Sequence, residues 1–273
     1  MKNTLLVLAI MMHFQSFAQM RFDYPITEFE PVKFIVTYSL EYQEDSLDPN
    51  FIKNETMMLL LGTNSSKFLS ENLFFFDSVM RQISNIDQFQ AFALNPQINF
   101  PVFGYQIYKN IPKGKITVTD HVIGGSYLFE ESLDQFNWQL SGDTSTIHGY
   151  KTVMATCTFG GRRWIAWFST EIPFSDGPYK FNGLPGLILK IHDSRDHYVF
   201  EMLSIEKPGH RMVIDRQEKD FIRTNKQGFF KAEDAFRNDI INRAKEAGLS
   251  NDAQQIAARR LSKRNNPIEL IRK

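Results

Sequence analysis

The chain has 273 residues, 31 basic and 31 acidic side chains, 42% hydrophobic residues and one cysteine. A formal charge of zero supplies no field for steering toward nucleic acid or anionic lipid, so no nucleic-acid partner is expected. One cysteine cannot close an internal disulfide or build a zinc knuckle, and a content of 25 Phe, 9 Tyr and 3 Trp is far too apolar for a disordered chain.

Lys2 gives a small positive start, Leu5 to Met12 an unbroken apolar run, and Ser16-Phe17-Ala18 small residues at the positions a signal peptidase inspects. A signal peptide over residues 1–18 is expected, followed by a single β-rich domain over 19–273. A membrane anchor would need about twenty apolar residues, and His13, Gln15 and Gln19 interrupt the run too early. No cysteine follows Ala18 to take a lipid, and no later segment is long and apolar enough to span a bilayer. The expected location is therefore periplasmic or secreted, with no transmembrane segment in the mature protein.

Residues 33–41 alternate apolar and polar positions, the period of a half-buried strand, and 56–61 form an apolar run suited to a strand buried on both faces. Gly62 to Ser66 is turn material. A strand near 66–70 and a helix around 72–91 follow, closed by Asn95-Pro96 because a residue before proline resists the helical region. From 100 onward, strands are expected at 103–110, 115–121, 125–131, 136–140, 151–159, 163–170, 186–192 and 197–206. Their breaks fall at Pro112-Lys113-Gly114, Gly124-Gly125, Gly142-Asp143 and Gly160-Gly161. At 231–247 the period changes to that of a helix, with Ala235, Phe236, Ile240, Ile241 and Ala244 in one stripe and Gly248 as its stop. A second helix is expected over about 250–262, then a basic tail broken at Pro267. The cadence predicts a mainly β (α+β) fold: a curved antiparallel sheet or half-open barrel with C-terminal helices over about 231–262.

The densest passage, 163–191, is an alternating strand running into a constrained loop. Trp164, Ala166 and Phe168 share one face, Ile165 and Trp167 the other. Pro173, Pro178 and Pro185 each fix a torsion, while Gly177, Gly183 and Gly186 admit conformations other residues resist. Such a loop reads first as a rigid crossover that delivers the chain into the apolar strand beginning Leu187-Ile188.

Gly183-Leu184-Pro185-Gly186-Leu187-Ile188 spells the motif for which the GLPGLI family of bacterial envelope proteins is named, and the chain resembles that family elsewhere too. The matching residues include Ile147, Gly149-Tyr150-Lys151, Gly161-Arg162, Ala166-Trp167-Phe168, Glu171-Ile172-Pro173, Gly177-Pro178 and Asn266-Pro267-Ile268-Glu269-Leu270. One departure is Thr152, where the family often carries a cysteine after Gly-Tyr-Lys. The resemblance implies export and an envelope location, with an outer-membrane uptake system as a partner open to it. It implies nothing about catalysis.

Several residues could carry chemistry. Arg162 and Arg163 beside Trp164 and Trp167 could stack and grip a carboxylate or phosphate; equally, arginine covers aromatic surface without any ligand. Arg163, Trp164, Trp167 and Tyr179 are the candidate ligand-binding residues. His192 and His197 flank the turn Asp193–Asp196, a set that could hold a transition metal, but no third convergent ligand is evident and a solvated turn is the expectation. Glu171, Asp176 and Asp193 could divide general acid from general base or simply cap turns. Ser204 and Lys207 match Ser-x-x-Lys without its companion motifs. Cys157 reads as a small buried hydrophobe, and Leu73–Phe76 as core or as a lipid or partner groove.

These observations favour a non-catalytic envelope binding or accessory protein for a peptide, an apolar ligand or an outer-membrane partner, with no cofactor and no metal assigned. A hydrolase built on the carboxylates and histidines around the loop is the alternative, and a docking module a third.

Overall fold

The computed structural model describes residues 24–122, 125–246 and 248–271. The expected signal peptide and Gly124 of one expected break lie outside them. Period-two alternation carries most of the chain into strands: β1 (Ile26–Pro31), β2 (Phe34–Gln43), β3 (Ile52–Leu61), β4 (Ser66–Ser70), β5 (Gln106–Lys109), β6 (Lys115–Val122) and β7 (Gly125–Ser132). The second run comprises β8 (Gln139–Ile147), β9 (Tyr150–Phe159), β10 (Arg162–Ser169), β11 (Leu187–Asp193), β12 (Tyr198–Glu206), β13 (Val213–Gln217) and β14 (Phe221–Arg223). Five helices complete the described chain: α1 (Glu71–Met80), α2 (Ile86–Ala93), α3 (Lys226–Asn238), α4 (Ile240–Glu246) and α5 (Asn251–Ser262).

The protein is mostly β, built on a large open sheet that does not close into a barrel. Its order is β14-β7-β6-β5-β4-β3-β2-β12-β11-β10-β9-β8, antiparallel throughout except for the β14–β7 pair. Two meanders, β2 to β7 and β8 to β12, meet at one seam where β2 pairs with β12, Tyr42 opposite Tyr198. The pleat sends Val36, Tyr38, Leu40 and Tyr42 of β2 to the inner face. There they join Leu59, Phe68, Ile107, Trp164, Leu189 and Phe200 in the main core. The alternate residues Ile35, Met58, Leu60, Leu69 and Tyr108 form a smaller core on the outer face, covered by α1 and by the separate β1–β13 ribbon.

Where elements differ from expectation, local hydrogen bonds account for most of it. The helix expected over 72–91 is two helices. Ser70 caps α1 by accepting the Leu73 N–H, and Asn85 restarts the chain as α2 by accepting that of Gln88. The C-terminal segment starts earlier than 231, because Asn225 caps α3 on the Gly228 N–H, and it breaks at Asp239. Gly142-Asp143 is not a turn: both lie inside β8, where the register with β9 slips between Leu140 and Thr144. Strands β1, β13 and β14 were not expected from the pattern.

Candidate functional site

Residues 170–186, between β10 and β11, fold back onto the inner face of the sheet. Phe181 is fully buried, with its ring 4.7 Å from that of Trp164 and 5.3 Å from that of Phe136. Lys109 reaches across from β5, donates to the carbonyls of Gly177 (2.5 Å) and Phe181 (3.3 Å), and is ion-paired with Asp176. From β2, the Tyr38 hydroxyl donates to the Ile188 carbonyl at 2.8 Å. Gly177, Pro178, Leu184, Gly186, Leu187 and Ile188 are buried, while Pro173, Gly183 and Pro185 face out. Two glycines are required for different reasons. Gly183 has φ +92°, and a Cβ on Gly186 would stand 2.1 Å from the Ser169 carbonyl oxygen.

The four candidate ligand-binding residues are not brought together. Trp164 is enclosed in the main core, its indole N–H donating to the Phe159 carbonyl at 3.0 Å. Strand parity puts Arg163, exposed, and Trp167, half-buried, on the opposite face. Tyr179 lies on the inner side, its hydroxyl 2.7 Å from Glu269. The arginine that turns inward is Arg162, which binds Asp193 (2.8 Å), the Asn266 side chain (2.6 Å) and the carbonyls of Pro267 (2.7 Å) and Ile268 (3.0 Å).

The acid–base candidates are dispersed as well. Asp176 is taken by Lys109, and exposed Glu171 accepts the Lys151 N–H at 3.2 Å. His192 pairs with Asp196 at 2.6 Å on the outer side, while Asp193 and His197 meet only through Arg162. Among the described residues no group of three or more His, Cys, Asp or Glu is placed to hold a metal ion. Ser204 is exposed on β12. Cys157 is buried, and desolvation pushes its thiol up to about 12, so it is no nucleophile as it stands. In α1, Leu73 joins the outer core, Phe75 is exposed, and Phe76 packs on Phe92 and Phe100 at 5.5 and 6.0 Å.

The basic tail is built into the fold. Asn266 ties β2 to the tail by donating to the Gln43 carbonyl at 2.7 Å. Glu269 is buried against Lys180 (2.6 Å) and Lys226, and both lysines also pair with Glu131 of β7. Burial alone would raise the Glu269 carboxyl, but the attraction of Lys180 and Lys226 outweighs it and holds the group at about 2.

Loop and tail together leave one part of the inner face open. A cavity of about 610 Å³ lies between β6, β7, the 101–105 segment, helix α3 and the tail. Aromatic rings form much of its wall, with Tyr42 and Tyr198 from the seam, Phe103 and Tyr105 ahead of β5, Phe129 of β7, and Phe229 and Phe236 of α3, and charged side chains such as Glu44, Glu233, Arg237 and Arg264 line the rest. The Tyr42 hydroxyl is buried and has no hydrogen-bond partner among the described residues. On β6, Ile116, Val118 and Val122 face inward, and Asp120 stands in phase with them. One Asp120 oxygen accepts the His121 N–H at 2.7 Å. Desolvation, partly opposed by that bond and reinforced by the nearby Glu233, raises the carboxyl from 3.8 to about 7. Asp120 was not among the candidates read from the sequence. Its signal was there, because an acid in step with the apolar positions of a strand points inward.

The fold and the packed central loop define a mostly β protein whose open sheet is filled from its own chain. Residues 161–190 match the family described as "Protein of unknown function (Porph_ging)", the family of GLPGLI-type proteins, in agreement with the motif at Gly183–Ile188. No curated protein sequence matches the chain. Two solved structures of PNGF-II, in space groups C2 and P21, are similar in fold, each with a TM-score of 0.51 and 12% identity. They cover 74% of this chain, which in turn spans only 32% and 33% of theirs, about a third of their length.

Proposed function

We propose that the chain is an exported, non-catalytic binding protein of the bacterial envelope that holds a small, largely apolar ligand in the aromatic cavity between the sheet and α3. The observation that carries this reading is the cavity itself: about 610 Å³ of space on the inner face, walled in large part by aromatic rings. Export is supported by the charged start, apolar run and small residues of positions 1–18, and by the family resemblance. No helix among the described residues is long and apolar enough to cross a membrane.

The test is titration with N-phenyl-1-naphthylamine, an uncharged dye that brightens in apolar surroundings. Saturable binding at one site is expected. Val102, exposed at the cavity wall, is replaced in Val102→Trp to fill the space without touching the core. Affinity should fall about tenfold with the unfolding temperature unchanged. Equal binding by both proteins would overturn the assignment.

A further inference from the structure

Inward-facing charges in this fold are matched by the chain itself. Lys109 has Asp176, Arg162 has Asp193, and Glu131 has Lys180 and Lys226. Asp120 is different: among the described residues no lysine, arginine or histidine forms an ion pair with it. The cations around the cavity are already engaged. Arg237 of α3 binds Glu233 (3.0 Å) and the Arg264 carbonyl (2.7 Å), Arg264 binds Glu44 (2.9 Å), and Lys180 binds Glu269 (2.6 Å). His121, the next residue on the strand, is exposed, is pushed down by partial desolvation and by Lys219, and forms no ion pair with Asp120. Glu233, facing Asp120 from α3, adds a like charge. The backbone also makes room for the carboxyl, since a Cβ on Gly104 would stand 3.0 Å from an Asp120 oxygen.

Asp120 is half-buried; an acid partly withdrawn from water without a counter-charge is costly, and rings such as Tyr105, Phe129 and Phe229 attract positive charge to their faces. We infer that the cavity binds an organic cation, with an ammonium group seated on Asp120 and an aromatic or aliphatic body against the rings. This rests on the reading of the cavity as a binding site and adds the class of ligand. The ligand supplies the charge that the fold withholds. Because Asp120 takes up a proton near neutrality, binding strengthens as pH rises through about 7.

The experiment uses two probes of the same shape on the intact protein: 2-phenylethylamine, an ammonium ion throughout the range, and 2-phenylethanol. At pH 8 the amine should bind at least about tenfold more tightly than the alcohol, and its affinity should drop about tenfold at pH 6. Asp120→Asn should abolish both differences. Alcohol binding as tight as that of the amine, or tightening toward pH 6, would overturn the inference by making Asp120 a neutral hydrogen-bond donor. Failure of the amine where the uncharged dye still binds would overturn it too, yet leave the proposed function standing. Failure of all three probes would sink both.

Discussion

Lys180 of the central loop and Glu269 of the tail form a 2.6 Å ion pair with each side chain only 2% exposed, across 89 residues of sequence. Taking two charges out of water is costly, and here the cost is met because neither stands alone: Tyr179, Lys226 and Glu131 complete the set. The pair joins the GLPGLI-type loop to the C-terminus and to β7 and α3, so it fixes the floor of the cavity.

Removing one member should hurt more than removing several. Glu269→Gln leaves buried Lys180 and half-buried Lys226 to share Glu131 alone and is expected to cost about 3–5 kcal/mol, read as a lower urea midpoint at pH 7. A paired replacement, Lys180→Met with Glu269→Leu, should recover part of that loss. Equal midpoints for wild type and Glu269→Gln would show that the network is immaterial to the fold.

The two glycines of the motif should answer alanine differently. Gly186→Ala places a methyl against the Ser169 carbonyl, where only backbone movement can relieve it, and is expected to cost more than about 3 kcal/mol or prevent folding. At Gly183 nothing lies closer than 3.8 Å, so alanine there meets only the strain of φ +92°, about 1–2 kcal/mol. Soluble yield and urea midpoints of the two variants check the order. A Gly186→Ala protein as stable as Gly183→Ala would contradict the close approach.

Asp120 should make the empty protein less stable at alkaline pH. Its folded carboxyl titrates near 7 and its ordinary value is 3.8, so between these values the folded chain keeps a proton that the unfolded chain has released. Stability contributed by that proton is complete below about pH 4, declines as pH rises toward 7, and is gone above it. The full shift would correspond to about 4 kcal/mol, and partial access to water reduces this to about 1–3 kcal/mol. Asp120→Asn should therefore stabilise the protein at pH 8 and leave it unchanged near pH 4. A parallel pH profile for variant and wild type in thermal unfolding would rule out a desolvated acid at this position.

Much of the sheet was legible in the chain because alternation is a local signal. β4 falls at 66–70 as expected, and β2, β6, β9, β10, β11 and β12 lie within two residues of the expected bounds. Strands β1 and β13 escaped notice for a physical reason: ITEFEP and VIDRQ are short and charge-rich, and they become strands by pairing with each other although far apart in sequence. The candidate site divides in the same way. Parity along β10 already separated Trp164 from Trp167, and parity along β6 would have revealed Asp120. Glu269 sits in no periodic segment, and only contacts with Lys180 and Lys226 give it a role. Arg162 was weighed as a stacking partner of the tryptophans, yet its ligands come from a turn and a tail that no local pattern connects to it.

The β2–β12 seam also sets the order in which this protein is able to form. Ser39 and Glu201 meet across 162 residues, so the first meander lacks a neighbour on the β2 side until nearly all of the second has been synthesised. Closing so long a loop is slow, and meanwhile β2 presents an unsatisfied ladder of amides and carbonyls to any passing strand. A nascent chain halted before residue 198 would be an aggregation seed rather than half a protein.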